Sequence, residues 1–429
     1  MVVRDRVYHC RLRAKGLLVS RTRTFWATCF VILALFSARI GQAQTQLGVG
    51  VANGQIIKDG VPYRGIGVNY FDSFYRNMTN ASDTSYVQGF NTLQQHNIPF
   101  VRFSLSGYWP NDFKLYTTNK PEFYHRLDAY VNSAAQHHIG LVPSFYWSDF
   151  MIPDLVHEPV SAWGDPNSAT RSFMRSFTAE VVDRYKGSPA IWGWEFGNEY
   201  NLSSDLPNAS EWRPPIQPTL GTPTTRSAAD DLTGNMINSA MVDFASVVHQ
   251  HDSGRMISSG DGLMRPSAYH QYTSLSWDTD TTAQQSTMYD LFNPSPMNTI
   301  GGHPYDLTGW DTPINTAKAE GKATFFGEFG VLGNDSAAMA EFHDMLQMIA
   351  DKKVDLAAVS NFDRQQLGDP WSISALPNGT RSWQLDQIQA MNLLIPEPST
   401  FILGVLGMIA LLVVAKKVSG MLRRRPAFV

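Results

Sequence analysis

Hydrophobic residues in the middle of the chain form short runs of five to eight positions, separated by longer stretches of helical spacing. Short apolar runs are typical of buried strands, and apolar positions with helical periodicity are typical of amphipathic helices. The predicted strands are 63–69, 100–105, 139–146, 191–196, 255–259, 297–302, 323–328 and 356–362. The clearest predicted helices are 124–137, 169–185, 228–249 and 337–350. Strands that alternate with helices in this way predict an α/β fold, a (β/α)8 TIM barrel.

Three stretches stand apart from this alternation. Turn signals at Asn53-Gly54 and Asp59-Gly60 predict a β-hairpin that lies as a lid on the bottom of the barrel. Segment 201–225, rich in Pro, Ser, Thr and Asn, directly follows the fourth strand, so it is expected to form a wall of a cleft. A tolerated surface insertion is the alternative for that segment. Segment 261–296 is long and loop-like, which leaves the fifth and sixth strands the least distinct.

The first 43 residues have the order of a secretory signal peptide. Basic residues are spread over positions 4–23, an apolar run covers 25–38, and Gly41-Gln-Ala43 offers small residues for cleavage. Residues 1–43 are therefore expected to be removed on export. The alternative is that the apolar run remains as an uncleaved membrane anchor.

A second distinctive segment ends the chain. Ile395-Pro-Glu-Pro precedes an apolar run at 401–415 and a basic tail. Fifteen residues as a helix cover about 22 Å, less than the roughly 30 Å of a bilayer core, and the tail should stay cytoplasmic. This order resembles the bacterial PEP-CTERM sorting signal. The resemblance implies that 395–429 anchors the chain transiently until a sorting protease removes it; a permanent anchor is the alternative.

Charge and cysteine content narrow the function of the remaining body. Between the two terminal segments the chain carries a net charge of about −15. An acidic body repels polyanions, so nucleic acid is not an expected partner. The two cysteines, Cys10 and Cys29, fall inside the predicted signal peptide, so no disulfide or thiol chemistry is expected after its removal.

Two predicted strands end in a glutamate. Glu199 follows an apolar run and Asn198, and Glu328 ends the run that begins at Ala323. Because the C-terminal tips of barrel strands face one mouth, both side chains should point into the same cleft. There, one carboxyl group can give a proton to a leaving oxygen while the other attacks the anomeric carbon. Two carboxyl groups placed in this way are the catalytic groups that most glycosidases require to cleave a glycosidic bond.

The sequences around these glutamates resemble family 5 of the glycoside hydrolases, in the clan of retaining barrel enzymes. Residues 186–199 are similar to the fourth strand of the family and Phe326-Gly-Glu-Phe-Gly330 to its seventh. Further similarities are Arg64–Asn69 to the first strand, Val101-Arg102-Phe103 to the second, and His303-Pro-Tyr305 to the sixth. The resemblance covers residues 50–385. The flank around Glu199, together with residues 139–147 and His303-Pro-Tyr305, is most similar to the mannan-cleaving branch.

The resemblance assigns roles to the matching residues. Glu328 would be the nucleophile, and Glu199 the general acid and later the general base. Asn198 would hydrogen-bond the sugar 2-hydroxyl group. Arg102 and Tyr305 would hold Glu328 ionised and aimed, because opposite charge and hydrogen bonds favour the charged form.

Each supporting residue also has a structural interpretation. His303 would contact the sugar or support the acid/base, but with Tyr305 it could simply be a hydrogen-bonded residue of the barrel mouth. Arg102 could be a buried salt-bridge partner. Neither His303 nor His137-His138 falls in a metal-ligand spacing, so no metal is expected, and the chemistry requires no other cofactor.

Aromatic residues provide a second carbohydrate signal, because the C–H faces of pyranose rings pack on aromatic rings. Those that follow predicted strands are Tyr70, Tyr108, Trp109, Tyr146, Trp147, Tyr200 and Trp310, and some of them are expected to be structural. Trp109 and Trp147 are the predicted substrate contacts. The family commonly places a tryptophan at the end of the eighth strand. Here Phe362 is expected to substitute for it, with Trp371 of the next loop as the alternative.

The sequence thus predicts an exported retaining β-glycoside hydrolase whose catalytic domain spans 44–394. A polysaccharide or oligosaccharide is the expected substrate, with β-mannan or β-glucan preferred. The alternative is a non-catalytic carbohydrate-binding surface or matrix protein on a barrel scaffold, which would need neither glutamate. Linkage, endo or exo action, and hydrolysis or transglycosylation stay open at this point.

Overall fold

The structure, a computed structural model, describes residues 47–364, 369–376 and 379–395. The predicted signal peptide and all but the first residue of the predicted sorting signal lie outside these residues, so both stay predictions. Within the described part, no helix combines the length and the apolar character that a membrane crossing requires.

The described residues form one small sheet and one barrel. The strands are β1 (Val49–Ala52), β2 (Gln55–Lys58), β3 (Val61–Pro62), β4 (Gly65–Asn69), β5 (Phe100–Ser104), β6 (Gly140–Tyr146), β7 (Gly193–Gly197), β8 (Met256–Ser258), β9 (Thr299–Gly301), β10 (Ala323–Phe329) and β11 (Leu356–Val359). The helices are α1 (Ser73–Thr79), α2 (Ser85–Gln95), α3 (Lys114–Thr118), α4 (Lys120–Gln136), α5 (Met151–Leu155), α6 (Ala169–Tyr185), α7 (Gly234–His251), α8 (Ala268–Ser274), α9 (Thr282–Leu291), α10 (Asp311–Glu320), α11 (Ser336–Asp351) and α12 (Trp383–Leu394).

Eight parallel strands make the barrel, in the order β8-β7-β6-β5-β4-β11-β10-β9. Strands of such a barrel are covered on both faces, so they consist of nearly continuous apolar residues; β6 and β10 are buried along their whole length. The joint between β8 and β9 is closed largely by side chains. Asn298 accepts from the Ile257 amide (2.7 Å) and Thr299 donates to the Ile257 carbonyl (3.1 Å). The predicted (β/α)8 barrel is confirmed.

The N-terminal sheet closes the bottom of the barrel. Strands β1, β2 and β3 pair antiparallel through turns at the two predicted Asx-Gly pairs. Val49, Ile56 and Tyr63 pack into an apolar cluster with residues from the barrel interior, and the amide of Val49 donates to the carbonyl of Trp192 at 3.1 Å. The sheet therefore acts as the expected lid.

Three segments differ from the prediction for a physical reason, and other predicted ends shift by a few residues. β11 ends at Val359. The amides of Ser360 and Phe362 still donate to Phe329 and Asn69 of the neighbouring strands, but Phe362 also forms a bridge with Ile373 in the next loop, which interrupts the regular ladder. The loop-like segment 261–296 contains α8 and α9. Helix α9 is mainly polar and is fixed by a capping box at Thr281, so it has little apolar periodicity. Helix α7 begins at Gly234 rather than 228, where Thr233 caps it.

Candidate active site

The C-terminal ends of four strands bring their polar side chains together at one mouth, opposite the lid. Arg102 lies on β5, Asn198 and Glu199 follow β7, His303 follows β9, and Glu328 lies on β10. These residues were predicted from positions far apart in the chain, and the structure brings all of them together with Tyr305. Arg102, Asn198, Glu328 and Tyr305 form one hydrogen-bonded group and Glu199 and His303 another, and His303 Nδ1 lies 3.7 Å from Glu328 Oε1 between them.

Arg102 is the centre of this cluster. Its side chain is fully buried, and its guanidinium group donates to Glu195 Oε1 (2.6 Å), Glu328 Oε1 (2.9 Å), Asn198 Oδ1 (2.9 Å) and Asn69 Oδ1 (3.1 Å). Burial acts to lower the pKa of Arg102, but the two carboxylates outweigh it and raise that pKa. A planar fork of donors suits this arrangement, in which one cation fixes four partners at once.

Glu328 is held from two sides. Arg102 binds one carboxylate oxygen, and the hydroxyl group of Tyr305 donates to the other. Burial, followed by the negative charge of Glu328, raises the pKa of Tyr305, so the phenol remains a donor. With both oxygens engaged, the carboxylate has a fixed orientation, which is what a nucleophile requires.

Glu199 is aimed by its backbone and by His303. Its φ and ψ angles of 56° and 30° lie in the left-handed region, and its amide donates to the carbonyl of Gly260 at 3.0 Å. Non-glycine residues in this region are strained and concentrate at functional sites. The Nδ1 atom of the buried His303 hydrogen-bonds Glu199 Oε1 at 2.8 Å, while about a third of the Glu199 side chain (31 %) stays exposed.

The protonation of Glu199 and His303 is linked. Burial acts to raise the pKa of Glu199, but the hydrogen bond and charge of His303, helped by Arg102, hold it below its usual value. Burial acts to lower the pKa of His303, and the carboxylates of Glu328 and Glu199 raise it above its usual value. Both shifts favour the proton of this hydrogen bond on His303 Nδ1, and the pair titrates as a unit because each charge stabilises the other.

The same cluster has the composition of a cation site. Glu199, His303 and Glu328 each bring one oxygen or nitrogen atom within 4.8 Å of the others. However, His303 Nδ1 already bonds Glu199, and both oxygens of Glu328 bond Arg102 and Tyr305. A metal ion would have to displace these bonds beside a buried guanidinium cation, so the arrangement favours proton chemistry over metal binding.

The predicted aromatic contacts divide into two groups. Trp147 is partly exposed, and its ring centroid lies 5.1 Å from the guanidinium carbon of Arg102. Trp109 is partly exposed and packs on Phe150. Phe362, by contrast, is fully buried against Tyr70, so the structure does not bring it to the cleft. Others that proved buried are Tyr70, Tyr146, Tyr200 and Trp310.

Trp371 takes the position that was expected of Phe362. Its ring lies 4.9 Å from the ring of Tyr305, which bonds Glu328, and it is only partly buried. Asp369 fixes the loop by accepting from the Trp371 amide (2.9 Å) and from Asn361 (3.1 Å). The tryptophan face beside the nucleophile therefore comes from the loop after β11 rather than from the strand itself.

Sequence reasoning missed three members of the site. Glu195 is fully buried on β7 and pairs with Arg102, and Asn69 on β4 accepts from Arg102 and donates to the Gly327 carbonyl at 2.8 Å. Asp261, three residues after β8, is buried, and a Cβ atom at its neighbour Gly262 would lie 3.4 Å from Glu199 Oε1. Glu195 could have been recognised from the sequence, because it is an acidic residue inside an apolar run. Buried acids are rare unless they are paired, so such a residue indicates a buried partner.

Comparison with known proteins identifies the family. A family model described as Cellulase (glycosyl hydrolase family 5) matches residues 58–364. The chain belongs to this family. It is therefore a glycoside hydrolase, and the resemblance noted around the two glutamates is confirmed at the level of family and fold.

The solved structures similar to this chain include mannanases and mannosidases. The endo-1,4-β-mannanase of Rhizomucor miehei has 17 % identity and a TM-score of 0.56, covering 80 % of this chain and 99 % of its own. The exo-β-1,4-mannosidase of an Opitutaceae bacterium has 12 % identity and a TM-score of 0.54, covering 81 % and 63 %. At these identities the likeness shows the fold alone.

Curated relatives match over shorter stretches. The probable mannan endo-1,4-β-mannosidase A of Aspergillus oryzae is 25 % identical over 226 residues, which cover 49 % of this chain and 51 % of the relative. The mannan endo-1,4-β-mannosidase A of Hypocrea jecorina is 37 % identical over 81 residues, which cover 17 % and 18 %. The chain thus spans about half or less of the length of these relatives.

Proposed function

We propose that this family 5 enzyme is a retaining β-glycosidase with Glu328 as nucleophile and Glu199 as acid/base. The observation that carries the proposal is the approach of the two carboxyl groups, with an oxygen of each within 4.8 Å of the other. Retaining enzymes keep these groups about 5–5.5 Å apart, and inverting enzymes separate them by about 6.5–9.5 Å to admit a water molecule.

In the first step, Glu328 attacks the anomeric carbon while the glycosidic oxygen leaves. Arg102 and Tyr305 keep the attacking carboxylate oriented, because each binds one of its oxygens. The proton shared by Glu199 and His303 passes to the leaving oxygen through Glu199. The bond to the leaving group breaks as the ester bond to Glu328 forms, and the charge that develops on the ring is partly neutralised by the nearby carboxylate.

In the second step, Glu199 takes a proton from water, which attacks the same carbon and releases Glu328. A sugar hydroxyl in place of water would give transglycosylation with the same residues. Asn198 supports both steps. Its oxygen is held by Arg102 at 2.9 Å, which turns its NH2 group towards any ligand in the cleft, where a sugar 2-hydroxyl group would accept.

We further propose β-1,4-linked mannan as the preferred substrate, with β-glucan second. The mannan-related names of the similar proteins support this choice. Trp147, Trp109 and Trp371 provide partly exposed ring faces for sugar units. Segment 201–225 would form one wall, because Thr219 accepts from Asn111 in the loop after β5 (2.8 Å).

The decisive experiment measures sugar release from β-mannan, β-glucan and xylan by the full-length chain and two variants. Glu328→Gln should abolish release without changing the thermal melting curve, because only the nucleophile is lost. Glu341→Gln, at an exposed position of α11, is the matched control and should keep full activity. Product release by Glu328→Gln at the wild-type rate would refute the mechanism.

The anomeric configuration of the products tests the retaining mechanism independently of the variants. NMR of the first products should show the β-anomer, and a 2-fluoro-mannoside inactivator should label Glu328, as seen by peptide mass spectrometry. The alternative function, a carbohydrate-binding surface protein, predicts that the same polysaccharides are retained on the protein without any release. The complete catalytic cluster favours the enzyme, because binding alone does not need Glu199 and Glu328 together.

We also propose that the enzyme works outside the cytoplasm. The predicted signal peptide at 1–43 and the predicted sorting signal at 395–429 support export, a transient membrane anchor and release at the cell surface by a sorting protease. Mass spectrometry of the protein from culture supernatant tests this. Recovery of both uncleaved termini from the cytoplasm would contradict it.

A further inference from the structure

Asp261 is a buried carboxyl group that the mechanism above does not use. It lies three residues after β8 and is 2 % exposed. Its Oδ1 atom accepts from the Asn201 amide at 3.2 Å, whereas Oδ2 has no hydrogen-bond partner among the described residues. An unpaired oxygen of a buried acid costs stability, so a purely structural role does not account for it.

Two more buried polar atoms without a described partner lie at the same level of the barrel, Glu195 Oε2 and His303 Nε2. Gly260, the neighbour of Asp261, presses on Glu195: a Cβ atom there would lie 2.9 Å from the Glu195 carboxyl carbon. A Cβ atom at Gly327 would lie 2.7 Å from His303 Nε2 and 3.5 Å from Arg102 Nε. Both chain neighbours of Asp261 border the acid/base: the carbonyl of Gly260 accepts from the Glu199 amide at 3.0 Å, and a Cβ atom at Gly262 would lie 3.4 Å from Glu199 Oε1.

We infer that Asp261 is a positioning residue for the acid/base, a buried carboxyl group whose negative charge holds the shared proton on His303 and Glu199. The inference rests on the proposed role of Glu199. Asp261 does not touch the substrate. It acts on the proton that His303 Nδ1 passes to Glu199 Oε1 along their 2.8 Å hydrogen bond.

The sign of the effect follows from the charges. Burial raises the pKa of Asp261 to about 7, although the Asn201 amide and His303 oppose the shift, so the group gains its charge near neutral pH. A negative charge there stabilises the imidazolium form of His303 and disfavours the carboxylate form of Glu199. The other charged or titratable groups around this pair are Arg102, Glu195, Tyr200, Tyr305 and Glu328.

The test compares the pH profiles of kcat/KM for wild type, Asp261→Asn and Asp355→Asn on β-mannan. Asp261→Asn keeps the acceptor for Asn201 but removes the charge, so the basic limb should move to lower pH by roughly 0.5–1 unit. Below about pH 5 the wild-type group is neutral as well, so the ratio of the two rates should become constant there. Asp355 is a buried acid at the barrel bottom that accepts from Thr324 and Ile56, and its variant should leave the limb in place.

A second readout needs no enzymatic activity. NMR titration of labelled histidine, with His303→Gln to assign the signal, should show an additional inflection near pH 7 in the wild-type His303 resonance. Asp261→Asn should lack that inflection. An unshifted basic limb together with a single inflection would overturn the inference while leaving the proposed function intact. A wild-type protein that releases no sugar would instead refute the proposed function, and the NMR titration alone would then decide the role of Asp261.

Discussion

The two ends of the barrel are built from the same strands but hold opposite kinds of residue. On β5, Phe100 and Arg102 are two positions apart and share a face, yet Phe100 belongs to the apolar cluster under the lid and Arg102 to the charged cluster at the mouth. On β6, Val142 is in the lower cluster and Ser144 in the upper one, where it donates to the Gly197 carbonyl. A step of two residues along a strand therefore leads from the apolar cluster that stabilises the barrel to the polar cluster of the candidate active site.

The difference shows how the molecule tolerates buried charge. At the bottom, burial of Trp192, Phe100 and Phe325 removes apolar surface from water and needs no partner. At the mouth, each buried charge is stable only because another residue compensates it, as Arg102 does for Glu195 and Glu328. The lower cluster should therefore tolerate conservative changes in shape, and the upper cluster should not tolerate the loss of a charge.

The largest effect is expected from Arg102→Met, which keeps much of the volume but removes the cation. Glu195 and Glu328 would be left as buried carboxyl groups without a counter-charge. Breaking such a pair costs about 3–5 kcal/mol of unfolding free energy, and hydrolysis should be lost as well. Denaturant unfolding and sugar release measure the two effects.

Arg184→Met is the matched control for that change. Arg184 pairs with Asp128 on the surface, where an ion pair contributes about 0–1 kcal/mol, so stability and activity should stay near the wild type. If Arg102→Met behaved like this control, the mouth would not depend on its central charge, and the contrast between the two ends would fail.

Trp192→Ala tests the bottom of the barrel. The Trp192 ring stacks on Phe100 at 5.4 Å and meets Tyr63 at 5.5 Å, so truncation leaves a cavity and should cost about 3–5 kcal/mol. The KM and the pH profile of the folded variant should not change. Trp147→Ala should show the reverse, with a raised KM and a small loss of stability. Equal effects of both variants on KM would contradict the separation.

The smallest effect is expected at the turn of the lid. Gly60 has a φ angle of +80° and open space around its Cα, so Gly60→Ala adds only the cost of the left-handed backbone, about 1–2 kcal/mol. Gly187 also has open space but no positive φ, so Gly187→Ala should leave the melting temperature unchanged or slightly higher. Differential scanning calorimetry distinguishes the two, and equal melting temperatures would count against the backbone argument.

The barrel was predictable because its strands are buried on both faces and therefore carry uninterrupted apolar runs. Such runs can be recognised as strands from the local sequence alone. The flanks of Glu199 and Glu328 were predictable for a related reason, since a carboxylate at the tip of such a run has no structural purpose. Helix α6 was found with its observed bounds because its polar and apolar faces are distinct.

What the sequence did not reveal depends on contacts between distant segments. The role of Glu195 depends on its ion pair with Arg102, which is 93 positions away in the chain. Asp261 lies in a Gly-Asp-Gly stretch that local patterns assign to a loop. Phe362 continued an apolar run and was predicted at the cleft. Its backbone instead pairs with Ile373 and its ring is buried against Tyr70, contacts that no periodicity reveals.

The side-chain closure between β8 and β9 has a consequence for motion. At this joint the side chains of Asn298 and Thr299 provide hydrogen bonds that the backbone ladder provides between the other strands. The joint between β8 and β9, called the seam below, should therefore be where the barrel opens locally most often. Asp261 follows the strand on one side of the seam and His303 follows the strand on the other. Among the barrel strands, backbone amide hydrogen exchange should therefore be fastest along this seam. Each opening would briefly separate His303 from the carboxyl group of Asp261.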